Sequence, residues 1–386
     1  MFILLISRGV PSKRDPQWGC FEKDQAEALV AAGHKVVVVS VDSRFRCYWK
    51  KFGISNYTIN GIHYLDCFVI PGAITRKLLG LKINFWIKQL QIRWLLKRVL
   101  SIYGKPDILY SHYLVNSYLA LTLKDKYKLP LVAIEHWSQL NKDVLSKEAM
   151  WLGQATYHRC DTVISVSNSL KGRIKQHFNV DSTVVHNVIG TEFTNITPSA
   201  NHEGSRVRFV STGSLLPMKA YDVLIEAFSR LEIPLDKWKL TIIGEGKEHV
   251  SLQKQIDNLR LSNNVQLIGR KNKEEIVKIL SDSDVFVLAS RSETFGVVYI
   301  EAMMMGLPVI ASMCGGPEDF VQKSDGLLVP VEDVDALSNA IKEMYENHHK
   351  YDRKKIAEDA RNRFSPAVIA QQLTSIFDDV ILNVHR

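Results

Sequence analysis

The 386-residue sequence has few cysteines and no motif that would pair them. The five that occur are odd in number and scattered, with no C-x-x-C spacing: Cys20, Cys47, Cys67, Cys160 and Cys314. This pattern argues against a disulfide framework and a zinc site, and it favours a reducing, cytoplasmic compartment. The histidines show no metal-ligand spacing either, so we expect no metal site.

The sequence also lacks an apolar run long enough to cross a bilayer. The first run, FILLIS at 2–7, stops at Arg8 and has no basic region before it. A spanning helix needs about 20 apolar residues. The start is therefore predicted to be a buried strand and not a signal peptide.

Charge is unevenly distributed along the chain, although the net value is only +8. Residues 1–200 hold 26 Lys and Arg against 14 Asp and Glu, whereas residues 201–386 hold 23 against 27. The two halves are thus expected to meet different partners. No recognition motif for nucleic acid accompanies the basic half, so nucleic-acid binding is not expected.

Apolar strands alternate with helical segments in both halves of the chain. The predicted strands are 2–7, 35–41, 107–112, 131–136 and 162–167, then 207–213, 239–246, 265–269, 285–290, 308–312 and 326–330. Such strands indicate parallel sheets covered on both faces, hence an α/β chain of two doubly wound domains. The polar stretch 190–206 is typical of a linker. We predict domains at 1–195 and 196–365, with a helix at 366–386 packing back toward the first domain.

Two glutamates eight residues apart flank a predicted helix start. The segment SETFGVVYIEAMMMGLPVIAS (292–312) follows an apolar strand, and amides around 294–298 would form an anion site. Gly296 would let a ligand approach the backbone. Glu293 and Glu301 could accept hydroxyl hydrogen bonds from a sugar. The alternative is a dipole-stabilising glutamate followed by a solvated one.

This segment resembles the E-x(7)-E signature of the family-four retaining glycosyltransferases, also termed glycosyl transferases group 1. STGSLLPMKAYDVLIEAF (211–228) is similar to that family's G-R-L-x-x-x-K-G-x-D-x-L-I-x-A-F, and CGGPEDFV (314–321) to its G-G-x-x-E-x-I loop. WGCFEKDQAEALVAAGHKVVVVS (18–40) matches more loosely. The resemblance covers nearly the whole chain and implies the GT-B fold, in which two Rossmann-like domains face each other across a cleft.

The resemblance implies that the second domain binds a nucleoside diphosphate sugar, with a UDP-sugar favoured. Glu301 would bind the ribose, Glu293 the donor sugar and Lys219 the diphosphate. Backbone contacts to the sugar, the diphosphate and the base are implied for Phe295, Gly296, Val297 and Ile268.

The sequence departs from the family's pattern at two donor positions. Ser214 replaces the phosphate-binding arginine, and Ala220 replaces the glycine after the lysine. Serine cannot replace a bidentate phosphate clamp electrostatically. Arg270 and Arg291 are alternative substitutes by position, and the sequence does not choose between them.

Two histidines end adjacent predicted strands of the first domain. The resemblance implies that His136 is the active-site histidine near the donor sugar, and His112 holds the equivalent place one strand over. The alternative is a pair of structural histidines. Glu135 should point to the opposite face from His136. The family's Gly-Gly turn reads Gly19-Cys20 here, in the acceptor-binding domain.

Residues 76–100 combine seven Lys and Arg with Trp86, Trp94 and many aliphatic residues. Such a helix can lie on an anionic membrane, which would place the protein peripherally on the inner face. The alternative is a domain helix that packs its apolar stripe on the sheet.

We expect a retaining, metal-independent hexosyltransferase that acts on a glycan or lipid-linked acceptor in surface polysaccharide or glycolipid assembly. Its nucleotide sugar is a substrate, so no cofactor is expected. Its catalytic residues would be His136, Glu293 and Lys219. The alternatives are a non-catalytic nucleotide-sugar-binding subunit, or another GT-B enzyme such as a sugar-nucleotide epimerase.

Overall fold

A computed structural model describes residues 1–12, 14–15, 18–44, 52–69, 72–194, 196–198 and 206–384. They form two compact units, one of Met1–Val188 with the chain from Pro366 onward, the other of Ile189–Ser365. The sequence-based boundary at 195/196 lies seven residues beyond this division. The predicted linker, 190–206, includes 195 and 199–205, which lie outside the described residues.

The first unit contains an eight-stranded sheet in the order β3-β4-β2-β1-β5-β6-β7-β8. Its strands are β1 (Phe2–Ser7), β2 (Lys35–Asp42), β3 (Gly53–Ile59), β4 (Ile62–Phe68), β5 (Ile108–His112), β6 (Leu131–Glu135), β7 (Thr162–Ser165) and β8 (Thr183–Val184). Its first helices are α1 (Cys20–Ala31), α2 (Gly72–Tyr103), α3 (Leu114–Tyr127), α4 (Lys147–Thr156) and α5 (Asn168–Phe178). All pairings are parallel except that of β3 with β4.

The antiparallel β3–β4 hairpin is absent from the sequence-based strands. Its two-residue turn is Asn60-Gly61, and both residues have positive φ, 51° and 78°. This is the turn chemistry that fits the twist of a tight hairpin. The Asn-Gly pair was therefore a signal in the sequence. It was missed because β3 is mostly exposed and polar, without the apolar pattern of the other strands.

Helix α2 covers the basic aromatic segment, but it is not one continuous helix. Gly80 has φ 80° and ψ 172°, which breaks the helical path near its start. Beyond the break, Phe85, Ile92, Leu95, Leu96 and Val99 are buried. Among the described helices, none is long and apolar enough to cross a membrane.

The second unit contains a six-stranded parallel sheet in the order β11-β10-β9-β12-β13-β14. Its strands are β9 (Val207–Thr212), β10 (Trp238–Ile243), β11 (Val265–Leu267), β12 (Val285–Leu288), β13 (Val309–Ser312) and β14 (Gly326–Val329). Its helices are α6 (Thr191–Thr194), α7 (Tyr221–Ser229), α8 (His249–Asn258), α9 (Lys273–Ser281), α10 (Val297–Met304), α11 (Val334–Asn347) and α12 (Arg353–Phe364). Each strand matches a sequence-based one. Strand β12, with the sequence VFVL, is the fully buried apolar run that a strand covered on both faces requires.

The last helix, α13 (Pro366–Val384), packs against α1 of the first unit. Its buried stripe includes Ile369, Leu373 and Phe377. The Phe377 ring contacts Tyr110 of β5 edge-on, with 4.9 Å between ring centroids. The C-terminal residues thus complete a core that begins with the first strand.

Phe377→Ala is expected to lower the free energy of unfolding by about 3–5 kcal/mol, because the ring is fully buried and its loss leaves a cavity. Thermal unfolding followed by circular dichroism measures the effect. Leu382→Ala on the same helix is the control, since that side chain is 59% exposed. Equal midpoints for the two variants would contradict this account of the core.

Candidate active site

Lys219 and Glu293 form an ion pair where two neighbouring parallel strands of the second unit end. Lys219 closes a short turn after β9, and Glu293 lies in the loop after β12. The Lys219 Nζ lies 2.5 Å from Glu293 Oε1, and the Ser290 hydroxyl donates to the same oxygen at 2.7 Å. The structure therefore brings together two of the three predicted catalytic residues. Ser290, which the sequence analysis missed, completes the cluster.

The Glu293 backbone is fixed by the loop after β13. Its N–H donates to the Cys314 carbonyl at 3.1 Å, and its carbonyl accepts from Gly316 N–H at 3.1 Å. A Cβ at Gly316 would collide with the Phe295 carbonyl. The two loops thus approach so closely that only glycine fits at Gly316, which gives the glycine-rich 314–321 segment a physical role.

Helix α10 begins where the sequence predicts. Gly296 precedes its first residue, Val297, and has φ 94°, a conformation that glycine adopts readily. The Phe295 side chain is buried against Phe320 and Phe364. Phe295 therefore anchors the loop to the core. Glu301 lies half-buried in the second turn of α10.

The loop that carries Ser214 and Lys219 packs on the loop after β10. A Cβ at Gly244 would collide with the carbonyl oxygen of Gly213. Ala220, which replaces the family's glycine, adopts a left-handed conformation with φ 49° and ψ 41°. Alanine pays a steric cost there that glycine does not. The fold thus keeps the backbone geometry at this position despite the substitution.

The two arginines considered as substitutes for the missing one lie in different surroundings. Arg291 is paired with Asp222 at 2.8 Å and Glu332 at 2.7 Å, and it also donates to the Pro217 carbonyl. Arg270 is exposed and makes a longer ion pair with Glu245, 3.6 Å from Nε to Oε2. Ile268 precedes it, with its N–H bound to β10. Arg270 is therefore the more available cation.

His112 and His136 lie against each other at the carboxyl edge of the first sheet. His136 Nε2 is 3.2 Å from His112 Nδ1, and the two rings stack with centroids 5.2 Å apart. Phe21 stacks on the His136 ring at 5.4 Å. The structure thus brings together the two histidines that the sequence singles out.

Burial lowers the pKa of both histidines well below the ordinary value. For His112 the nearby Arg8 charge adds to this effect, and for His136 the His112 ring does. The pair is therefore neutral at physiological pH. Glu135 accepts hydrogen bonds from the backbone N–H of His136 and Trp137 and from the Tyr157 hydroxyl, a structural arrangement.

The charge of Arg8, the residue directly after β1, acts on both histidines. Its guanidinium stacks 3.6 Å from the Tyr113 ring centroid and pairs with buried Glu22, Nε to Oε1, at 3.0 Å. Tyr113 has φ 68°, an uncommon value for a bulky residue and one often found at functional sites. Arg8 directly follows β1, just as His136 directly follows β6. Because functional residues of parallel sheets collect at the carboxyl ends of strands, the sequence could have indicated Arg8 as well.

The Gly19-Cys20 turn keeps the geometry that a glycine pair would have at its first position. Gly19 has φ 83° and lies so close to Gly9 that a Cβ would collide with its carbonyl oxygen. Cys20 begins α1, where burial raises the pKa of its thiol to about 11. The substitution thus falls on a helical residue and leaves the close backbone approach intact.

Two Asp-x-Asp sequences occur in the second unit, at 282–284 and 333–335, and three of their aspartates have structural partners. Asp284 pairs with Arg208 at 3.1 Å, Asp333 caps α11, and Asp335 pairs with Arg230 at 2.6 Å. Within the described parts of the chain, no three His, Cys, Asp or Glu side chains converge as a metal site requires.

The chain consists of two units, each with a mainly parallel sheet whose strand-end loops carry the candidate site residues. Residues 23–193 match the family described as Glycosyltransferase Family 4, and residues 192–363 match Glycosyl transferases group 1. Together the two matches run from residue 23 to residue 363. The chain belongs to this family of glycosyltransferases, as the sequence motifs predict.

Individual proteins agree with this assignment. WcaL of Salmonella typhimurium, assigned by its name to colanic acid biosynthesis, is 24% identical, with 93% of this chain and 96% of WcaL aligned. A GDP-mannose-dependent monoacylated phosphatidylinositol monomannoside mannosyltransferase of Corynebacterium glutamicum is 28% identical over 48% of this chain and 53% of its own. Several curated relatives are matched over only about half to two thirds of their length.

A solved structure confirms the fold. HepE of Anabaena, in complex with UDP and glucose, superposes with a TM-score of 0.73 at 19% identity. That match covers 98% of this chain and all of the HepE chain. The GT-B fold predicted from the sequence is thereby confirmed, and at this identity the likeness speaks for the fold alone.

The neutral histidine pair predicts a loss of stability in acid. An unfolded histidine takes up its proton near pH 6.5, whereas the buried pair resists protonation. Above pH 6.5 the histidine pair is neutral in both the folded and the unfolded state, so it does not change the free energy of unfolding with pH. Below it, the free energy of unfolding falls by about 1.4 kcal/mol per pH unit for each histidine until the folded-state pKa is reached.

His112→Gln should therefore flatten the fall in unfolding midpoint between pH 6.5 and 5 relative to wild type. The control is His158→Gln, which removes an exposed histidine of the same unit and should leave the slope unchanged. If the unfolding midpoint of His112→Gln falls with pH as steeply as that of wild type, the buried histidine pair is not the cause of the loss of stability in acid.

Proposed function

We propose that this glycosyltransferase moves a hexosyl group from a nucleoside diphosphate sugar to an acceptor hydroxyl, with retention of configuration. The observation that carries the proposal is the Lys219–Glu293–Ser290 cluster beside the start of α10. A lysine, a carboxylate and a helix N-terminus supply what a sugar diphosphate needs: a cation and amides for the phosphates, and an acceptor for sugar hydroxyls.

Each donor residue has a role in this proposal. Lys219 and the first amides of α10 neutralise the diphosphate as it leaves, so no metal or cofactor is required. Glu293 binds the sugar, Glu301 the ribose, and the backbone near Ile268 the base. Arg270 supplies the charge that Ser214 cannot. His136 contacts the donor sugar, and the acceptor binds at the loops of Gly19, Cys20 and His112.

The donor base is proposed to be uracil, and guanine is the main alternative. HepE was solved with UDP and glucose, whereas the Corynebacterium relative depends by name on GDP-mannose. The names of relatives also favour an acceptor in polysaccharide or glycolipid assembly. A non-catalytic nucleotide-sugar-binding subunit and a sugar-nucleotide epimerase remain the alternatives, the former because of Ser214.

A thermal-shift screen against UDP-, GDP-, ADP- and TDP-sugars tests the donor site. One donor class should raise the wild-type unfolding midpoint by several degrees, and Lys219→Ala and Glu301→Ala should each lose most of that shift. Lys237→Ala, which removes a half-buried lysine of the same unit away from the cluster, is the control and should keep it. Equal shifts in wild type and both site variants would refute this donor site.

Turnover then separates the enzyme from its alternatives. Transfer or slow donor hydrolysis, unaffected by EDTA and with retained anomeric configuration in the NMR spectrum of the product, is expected. Binding without turnover over a broad acceptor panel would favour the non-catalytic subunit. Conversion of the donor into an epimer would favour the epimerase.

We also propose that the protein binds the inner membrane surface through α2. Ile83, Trp86, Leu90 and Trp94 recur at helical spacing and are 41–58% exposed, forming an exposed stripe opposite the buried one. Lys82, Lys97 and Arg98 are also exposed on this helix. Apolar and aromatic side chains interleaved with cations are typical of helices that lie in an anionic interface.

The double variant Trp86→Ser/Leu90→Ser should bind vesicles of 30% phosphatidylglycerol in phosphatidylcholine about ten-fold more weakly in a co-sedimentation assay. The reason is that the two substitutions remove much of the apolar area that the stripe would bury in the membrane. Val144→Ser is the control, an 84% exposed apolar residue away from the stripe. Wild-type binding that does not depend on anionic lipid would end this proposal.

A further inference from the structure

An apolar cavity of about 440 Å³ lies in the first unit where β2 and β4 end. Its apolar wall includes Phe52, Phe68, Val69, Ile87 and Trp94. Ser43 follows β2 and Val69 follows β4, and these strands are parallel, so the cavity lies at the carboxyl edge of the sheet. Its volume is within the range of small-molecule sites.

A second cavity of about 340 Å³ shares three lining residues with the first: Ser43, Asn84 and Lys88. Its own wall includes the ion pair of Arg76 and Glu148, 2.7 Å apart. An apolar cavity and a charged one therefore meet at Lys88. A molecule with an apolar chain and a polar head would match both.

Among the described residues, the Lys88 ammonium forms no ion pair with a carboxylate. The two carboxylates whose charge it feels most, Asp42 and Glu148, are paired with Arg44 at 2.8 Å and with Arg76. The sequence from 45 to 51 contains no acidic residue. Burial lowers the Lys88 pKa, the cost expected of an ammonium held away from water without a counter-ion. An anionic group in the cavity would offset that cost.

The cavities lie on the same sheet edge as His112, two strands away. The sheet order is β4-β2-β1-β5, and neighbouring strands are about 4.8 Å apart. Strand β2, at whose end both cavities have Ser43 in their walls, is thus about 10 Å from the strand that ends in His112, roughly the length of one or two sugar rings. Trp94 belongs both to the cavity wall and to the exposed stripe of α2, which would connect the cavity to a membrane surface.

We propose that this cavity pair binds a phosphate-bearing lipid, with the apolar chain along Phe68, Ile87 and Trp94 and the phosphate at Lys88. The inference rests on the glycosyl transfer proposed above, for which it names the acceptor as an anionic lipid. The Arg76–Glu148 pair then borders the head group, and the hydroxyl to be glycosylated extends toward His112.

Titration calorimetry of the full chain without nucleotide sugar tests the site. The probes are decyl phosphate, neutral decyl glucoside and inorganic phosphate, the two amphiphiles below their micelle concentrations. Decyl phosphate should bind at least ten-fold more tightly than either of the others. Equal affinity for inorganic phosphate would mean a free-phosphate site, and equal affinity for decyl glucoside would mean an apolar pocket without charge recognition. Either result overturns the proposal.

Variants separate the head-group contact from the chain contact. Lys88→Met should remove the preference for decyl phosphate over decyl glucoside, and Lys88→Arg should keep it. Val69→Trp, which fills the cavity, should weaken both amphiphiles. Lys126→Met, which removes an exposed charge on α3, is the control for charge in the first unit and should match wild type. An unchanged preference in Lys88→Met overturns the proposal.

The donor screen distinguishes this inference from the proposed function. Lys88→Met should retain the nucleotide-sugar thermal shift of wild type, which also shows that it is folded. If the donor shift is present and decyl phosphate does not bind selectively, the acceptor inference fails and the donor site stands. If the lipid probe binds and no nucleotide sugar does, the proposed transfer fails while the lipid site remains.

Discussion

The ion pair between Lys219 and Glu293 fixes the geometry on which the candidate donor site depends. It joins the loops after β9 and β12, which are adjacent strands of one sheet. Arg291 reinforces the same connection, since its N–H donates to the Met218 carbonyl at 2.8 Å and its guanidinium to Pro217. Without either partner, a largely buried charge would remain, and breaking such a pair is costly. The two loops are thus held in place before any ligand arrives.

This pairing also indicates what a bound donor would change. A lysine that already interacts with one anion has lost side-chain freedom, so less entropy is lost when a diphosphate becomes its second partner. Glu293 would then be freer to accept a sugar hydroxyl. Cations and N–H groups that are fixed in advance stabilise a departing diphosphate more than groups that must first reorganise. The Ser290 hydroxyl, which donates to Glu293 Oε1, would hold the carboxylate in place during that exchange.

Strand positions were the most predictable part of the molecule, because strands covered on both faces are mostly apolar. The same logic located His112, His136, Lys219 and Glu293 near strand ends, where parallel sheets collect their functional groups. The β3–β4 hairpin was missed since β3 is exposed. That Arg291 is occupied by Asp222 and Glu332 could not be predicted, because those residues lie 69 and 41 positions away in the sequence. Contacts of that range depend on the fold.

Helix α2 bears on an alternative that the sequence left open: the domain-helix interpretation holds for one of its stripes, and the membrane-surface interpretation stays a prediction. One stripe packs on the first unit, as in any domain helix, while Ile83, Trp86, Leu90 and Trp94 face outward. The break at Gly80 separates this two-sided part from the first turns. A sequence pattern cannot distinguish one broad apolar face from two, since the periodicity is similar and only packing shows which side is covered.

The neutral state of the His112–His136 pair constrains how the proposed transfer could proceed. A neutral imidazole can hydrogen-bond a sugar hydroxyl, but it brings no positive charge to the departing diphosphate. Arg8 is nearby, yet its charge is already balanced by Glu22 at 3.0 Å. In the proposed transfer, neutralisation of the diphosphate would therefore fall on the second unit: on Lys219, the amides at the start of α10 and Arg270. With Ser214 where the family motif has arginine, the α10 segment would carry a larger share of that neutralisation in the proposed transfer than the family motif alone assigns to it.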